Sequence, residues 1–265
     1  MTVDAIQLHC VNQWEAAFLR EEVRGYFAHG FDCPPGATVL DVGANIGVFA
    51  AAVHERLRGD VRIFAFEPMP PLHATLARNA EDFFGGTLTA LPFGLSAAEA
   101  ELDFTYFPGA TILSSALRDA GNVEAERRRV GEGVVAMIRQ GSLGPVARRL
   151  PVPLLRYLVG RQLRVLRQHE RHRVRVRPLS PVLDELGLTT IDLLKIDVEG
   201  AELDVLRGIE DRHWPLVRRA VVEVEHWTAT LPEIQAVFER HGLAVRAEQD
   251  AGQRAADTGM LFATR

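Results

Sequence analysis

The stretch Val39-Leu40-Asp41-Val42-Gly43-Ala44-Asn45-Ile46-Gly47 decides the fold. Residues 38–42 form a short apolar run that reads as a buried strand. The run breaks at Gly43, after which Ile46, Phe49, Ala50 and Val53 recur at helical spacing. A strand, a tight glycine-containing turn and a helix start follow one another within sixteen residues. Gly43 and Gly47 carry no Cβ, so a ligand is expected to approach the backbone closely there. Free N–H groups at the helix start are expected to meet polar or anionic ligand groups.

Outward from this turn the pattern repeats. Residues 61–66 (Val-Arg-Ile-Phe-Ala-Phe) read as a second strand ending at Glu67-Pro68. A helix over about 71–84 follows, with Leu72, Leu76, Ala80 and Phe83 on one face, stopped by Gly85-Gly86. Residues 87–93 read as a third strand, with Leu95-Ser96 just beyond. The β-α-β-α-β order predicts an α/β fold built on a mostly parallel sheet with helices on both faces. Residues 101–107 alternate like a strand, and 174–177 read as a short strand returning to the sheet. The α/β pattern resumes with a helix over 181–186 and a strand over 191–196 that ends at Asp197-Val198-Glu199-Gly200. A helix over 201–206, a strand over 220–224 ending at Glu223 to His226, a helix over 232–241 and strands near 243–248 and 260–263 complete the expectation.

The 265 residues suffice for one α/β domain with additions: a helical segment over 1–35 and a basic helical insertion or lid over 108–178. Trp14, Phe18, Val23, Tyr26 and Phe27 give the first segment an apolar stripe, expected to pack beside the main domain or over its ligand cleft. Residues 121–178 hold fourteen Arg against four acidic residues, +10 within a chain of net charge −5. The reading of this insertion is a solvated cap whose arginines pair with the acidic core. The sharper alternative is a docking surface for an anionic partner, such as an acidic carrier protein presenting the acceptor. The net negative charge argues against nucleic-acid binding. No apolar run reaches membrane-spanning length. Residues 1–10 lack the pattern of a signal peptide, and Cys10 and Cys33 lack metal-ligand spacing, so a reduced, cytoplasmic setting is the expectation.

In an open parallel sheet, ligands bind beyond the carboxyl ends of the strands. Glu67, about twenty residues past the turn, suits a ribose whose two hydroxyls donate to one carboxylate. NAD and S-adenosylmethionine both present such a ribose. The diphosphate fingerprint needs G-x-G-x-x-G, and Asn45 stands where its second glycine would be.

Asp41-Val42-Gly43-x-x-x-Gly47 resembles the first motif of class I S-adenosylmethionine-dependent methyltransferases. Leu194-Lys195-Ile196-Asp197-Val198-Glu199-Gly200-Ala201-Glu202, with Val205-Leu206-x-Gly208, resembles the signature of FkbM-type methyltransferases, and residues 39–47, Phe66-Glu67-Pro68 and Leu95-Ser96 fit that family in order. The resemblance spans roughly 36–100 and 180–226. It implies a class I methyltransferase fold and methylation of a hydroxyl oxygen on a small molecule such as a natural product, polyketide or sugar. By it, Asp41, Gly43, Ala44, Asn45, Gly47, Glu67, Pro68, Leu95 and Ser96 hold S-adenosylmethionine, with the Gly43–Gly47 backbone at the methionine portion.

His226, oriented by Glu223 or Glu225, is the candidate general base, because O-methylation removes a hydroxyl proton and imidazole titrates near neutrality. Asp197 sits at a strand end beside the expected donor, and Lys195 shares its strand parity. Glu199 and Glu202 read equally as helix-capping acids. A divalent metal held by Asp197 and Glu223 is a competing way to lower the hydroxyl pKa, and it stays unassigned. The rival expectations are a nicotinamide-dependent oxidoreductase and a non-catalytic adenosyl-cofactor-binding scaffold.

Overall fold

Alternation along the strands explains how the chain closes. In the computed structural model, which describes residues 7–11, 23–30, 32–108, 131, 132, 135, 138, 139, 149–162 and 170–265, β1 (Ala37–Val42) is buried along its whole length. Val39 faces one apolar cluster and Leu40 the other, as a period of two requires. The cluster on the Val39 side takes in α1 (Val48–Arg56) and α2 (Pro70–Phe83). The cluster on the Leu40 side takes in α4 (Leu179–Leu186), α5 (Glu202–Arg207) and α6 (Trp227–Arg240).

The central sheet has seven strands in the order β3-β2-β1-β7-β8-β10-β9. Here β2 is Val61–Phe66, β3 Leu88–Leu91, β7 Leu193–Ile196, β8 Arg219–Val224, β9 Ala244–Glu248 and β10 Gly259–Thr264. Strands β3, β2, β1, β7 and β8 run parallel, whereas β10 is antiparallel to both β8 and β9. A short α7 (Ala251–Ala256), closed by an Asp250–Gln253 capping box, precedes β10. The expected α/β fold with a mostly parallel sheet and helices on both faces is the fold found.

Three expectations need correction. The segment expected as one strand over 87–93 ends at Leu91, and Gly94–Leu95 (β4) joins a separate three-stranded sheet with β5 (Ala100–Tyr106) and β6 (Glu170–Arg177). Residues 170–177 therefore leave the helical insertion. They pair antiparallel with β5 rather than returning to the main sheet. Their arginines meet acidic partners: Arg173 with Glu101 at 2.8 Å, Arg175 with Glu99 at 2.6 Å, and Arg177 with Glu185. Finally, α6 begins five residues before Pro232, which the helix carries inside it.

Of the insertion, α3 (Val152–Gln162) is described, packing Leu155 and Val159 on Val135 and Ile138. The rest of the expected lid, apart from residues 108, 131, 132, 135, 138, 139, 149–151 and 170–178, lies outside the described residues, as do residues 1–6, 12–22 and 31 of the first segment, Trp14 and Phe18 among them. Residues 23–26 are helical, and Val23 and Tyr26 join the cluster containing α1. No helix among the described residues is long and apolar enough to cross a membrane. Cys10 and Cys33 are free thiols.

Candidate active site

Strand register assembles the site. Asp41 on β1 lies opposite Lys195 on β7, and Lys195 lies opposite Val221 on β8. Continuing two residues along each strand brings Asp197 and Glu223 to the same edge and the same face. The lysine Nζ stands 3.1 Å from Asp41 Oδ1 and 3.3 Å from Asp197 Oδ2, and donates to the Gly43 carbonyl oxygen at 2.8 Å. Asp41 is fully buried and Lys195 is 3% exposed. Burial raises the Asp41 carboxyl above its usual range, against the pull of Lys195. Burial also works against the charge on Lys195, but Asp41 and Asp197 outweigh it and raise its pKa.

Tyr26, 2% exposed, reaches this edge from the first segment. Its hydroxyl oxygen lies 3.0 Å from Asp197 Oδ2 and 2.8 Å from Glu223 Oε2. The ring packs edge-on against Phe49 of α1. Sequence reasoning placed Tyr26 in an apolar stripe and missed this role. Its only signal was a polar tip within that stripe.

The turn after β1 works differently from its expected form. A Cβ on Gly43 would stand 1.8 Å from the Asp197 carbonyl oxygen, and one on Gly47 would stand 2.9 Å from Leu76 Cδ1. Both glycines have positive φ, and the space a side chain would take at each is filled by neighbouring chain. The turn's N–H groups are also engaged. Gly43 and Ala44 both donate to the Phe66 carbonyl, Asn45 to Glu67 Oε2 at 2.9 Å, and Gly47 to the Ala44 carbonyl.

The Glu67 carboxylate, 6% exposed, also accepts the Met69 N–H at 2.8 Å. Burial pushes its pKa up to about 7, against these two N–H bonds. Each oxygen keeps a lone pair for a further donor. The side-chain oxygen of Asn45 is buried and has no hydrogen-bond partner. An orphaned acceptor and a buried carboxylate, both at this turn, fit a ligand that brings hydroxyl or ammonium donors.

The loop after β7 and the loop after β8 face each other, with the His226 ring about 4.0 Å from where a Cβ of Gly200 would lie. His226 is exposed and occupies the N-cap of α6. Glu223, one of the two carboxylates expected to orient its ring, accepts a hydrogen bond from the Tyr26 hydroxyl. Asn45, Glu199 and His226 are all left-handed, with φ of 51°, 53° and 51°, at the carboxyl ends of β1, β7 and β8. Strained non-glycine backbone therefore gathers at this one edge. Glu202, the first residue of α5, accepts the Gly200 N–H at 2.7 Å, and burial pushes its pKa up to about 7.

Pro68 packs against Gly94, and Ala44 is 4% exposed. Leu95 and Ser96 are not brought into the cluster. Leu95 is a core residue of the opposite face, the Ser96 N–H pairs with the Arg177 carbonyl, and the Ser96 carbonyl packs on Gly208. Among the described residues no group of three or more His, Cys, Asp or Glu is disposed to hold a metal ion.

A family model described as the methyltransferase FkbM domain matches residues 41–245, which contain the carboxyl ends of β1, β2, β7 and β8. The chain belongs to the FkbM methyltransferase family. It is 34% identical over 251 residues to the 31-O-demethyl-FK506 methyltransferase FkbM of Streptomyces tacrolimicus, covering 91% of this chain and 86% of that protein. It is 33% identical over 262 residues to the methyltransferase sdnD of Sordaria araneosa, covering 93% and 89%. It is also 36% identical over 245 residues to the AMB antimetabolite synthetase AmbE of Pseudomonas aeruginosa, covering 91% of this chain but 11% of that much longer protein. As an FkbM methyltransferase, the chain uses S-adenosylmethionine as methyl donor, and the site fits that cofactor as described. Tyr26 lies outside the matched residues.

Proposed function

We propose that this FkbM methyltransferase methylates a hydroxyl oxygen of a small molecule, such as a natural product, polyketide or sugar. The observation that carries this reading is the charge of the site: Asp41 and Asp197 flank the one ammonium, that of Lys195, and the carboxylates of Glu67 and Glu223 stand at the same strand-end edge. Such an edge attracts a cationic sulfonium and repels a diphosphate. The engaged N–H groups of the turn also leave a diphosphate little to bind, which disfavours the nicotinamide alternative. The name of the Streptomyces relative, an O-demethyl-compound methyltransferase, supports oxygen as the methylated atom.

Glu67 receives the ribose hydroxyls, and the buried Asn45 oxygen serves the methionine side of the turn. When bound, S-adenosylmethionine supplies a sulfonium-borne methyl group whose C–S bond breaks, leaving its electron pair on sulfur, as the acceptor oxygen forms the new C–O bond. The acceptor's hydroxyl proton passes to the Asp197–Glu223 pair. His226, exposed at the rim, carries it on to solvent. An acidic carrier protein presenting the acceptor to the basic region remains part of this reading.

Calorimetry with S-adenosylmethionine, S-adenosylhomocysteine and NAD, followed by methyl transfer to a panel of hydroxylated acceptors, tests the proposal. Binding of the two adenosyl compounds but not NAD, with methylation at oxygen, is expected. Failure to bind either adenosyl compound would overturn it, and binding without turnover on any acceptor would favour the scaffold alternative.

A further inference from the structure

We propose that Tyr26 is a positioning residue that makes Asp197 and Glu223 a pair sharing one proton. The inference rests on the reading of that pair as the proton acceptor, and it concerns a residue outside the family match.

A phenol has one proton to donate. Two carboxylate oxygens lie within hydrogen-bonding distance of the Tyr26 oxygen, at 2.8 and 3.0 Å. With both carboxyls ionised, the hydroxyl satisfies one of them and turns its lone pairs towards the other. With one proton added, a continuous chain forms: the carboxylic acid donates to the phenol oxygen, and the phenol donates to the remaining carboxylate. Both contacts are then hydrogen bonds, one of them charge-assisted. A second added proton replaces that charge-assisted bond by a weaker neutral one. The phenol therefore stabilises the singly protonated set against both neighbouring states. The doubly ionised set is poised to take one proton, and the methylation of a hydroxyl releases one proton.

The surroundings fix the tyrosine for this work. Its ring is edge-on to Phe49, and Lys195 Nζ lies 5.7 Å from its centroid. Among the described residues, the charged groups that the strands and their following loops bring towards the set are Lys195 and Asp41 below it, Glu199 and Glu202 in the β7 loop and α5, and Glu225 and His226 after β8. Tyr26 bonds to both members at once.

The test is a pH titration of ¹³C-labelled Asp and Glu carboxyl carbons in the free protein, with D197N and E223Q supplying the assignments. In the unsubstituted protein the set should titrate in two coupled steps. Tyr26→Phe should bring those steps closer together by about one pH unit or more. Unchanged separation in a folded Y26F protein, with S-adenosylhomocysteine binding as the check on folding, would overturn the proposal. Should Y26F fail to fold, D197N decides: Glu223 should then titrate in one step at least about one unit below the upper step of the unsubstituted pair. A step left at the original pH would overturn the proposal equally. No acceptor or methyl donor enters the titration, so its failure removes the shared proton alone. Absence of methylation at oxygen would remove the reaction reading instead.

Discussion

Lys195 is the residue on which the site's charge balance turns. It is the only lysine in the chain and is almost fully buried beside two carboxylates. Lys195→Met leaves Asp41 as an uncompensated charge in the core. It should destabilise the protein by about 3–5 kcal/mol in chemical denaturation. Glu67 gives a prediction in pH. Its carboxyl is pushed up to about 7, and the ionised form is the better acceptor for two ribose hydroxyls. S-Adenosylhomocysteine affinity should rise with pH to about 7 and then level off. Glu67→Gln should flatten this profile and weaken binding about tenfold or more, as read by calorimetry. His226→Ala should lower kcat while leaving cofactor affinity within about twofold. An unaltered kcat would remove His226 from the proton path.

At the scale of elements, the end of β1 is locked to the end of β7 by the absence of a side chain. Gly43→Ala would place a carbon 1.8 Å from the Asp197 carbonyl oxygen, on a backbone with φ of 76°. The two strands would have to part, which should cost about 3 kcal/mol or more and loosen the carboxylate edge. Thermal melting and S-adenosylhomocysteine binding should fall together. The β5–β6 pair behaves oppositely. Its Arg173–Glu101 and Arg175–Glu99 contacts lie in solvent, with more than half of each side chain exposed. Removing Glu99 should therefore change stability by less than about 1 kcal/mol. Those ion pairs show why the arginine excess over 121–178 was ambiguous as a docking signal: among the described residues Arg156, Arg173, Arg175 and Arg177 simply face acidic partners.

For the whole molecule, the raised carboxyls set the slope of stability with pH. Glu67 and Glu202 each hold a proton in the folded state at pH values where the unfolded chain has lost it. Their contribution to stability is fully present below the ordinary glutamate range and is lost as pH rises through about 7. The ligand-free protein should therefore lose stability from these two groups between about pH 5 and 8, measurable as a falling midpoint in urea. Their substitution by Gln should flatten that slope.

The sequence by itself determined the α/β order, the strand ends that carry polar residues, and the family. Those are local properties: apolar runs of strand length, helical spacing and punctuating glycines in a fixed order. It also named Asp41, Glu67, Asp197 and Glu223, because acidic residues directly after buried apolar runs stand out. Tertiary structure decided which of these meet. The β1–β7–β8 register, set by burial on both faces of the sheet, turned Lys195 towards Asp41 and Asp197. Packing filled the side-chain space beside Gly43 and Gly47 with Asp197 and Leu76, and it diverted Leu95 into a second sheet. Tyr26 entered the site only through the docking of its helix on α1. A hydroxyl 171 and 197 residues away in sequence from its two partners carries no local mark of either. Spacing along the chain reports periodicity. It cannot report which distant segments packing brings within 3 Å.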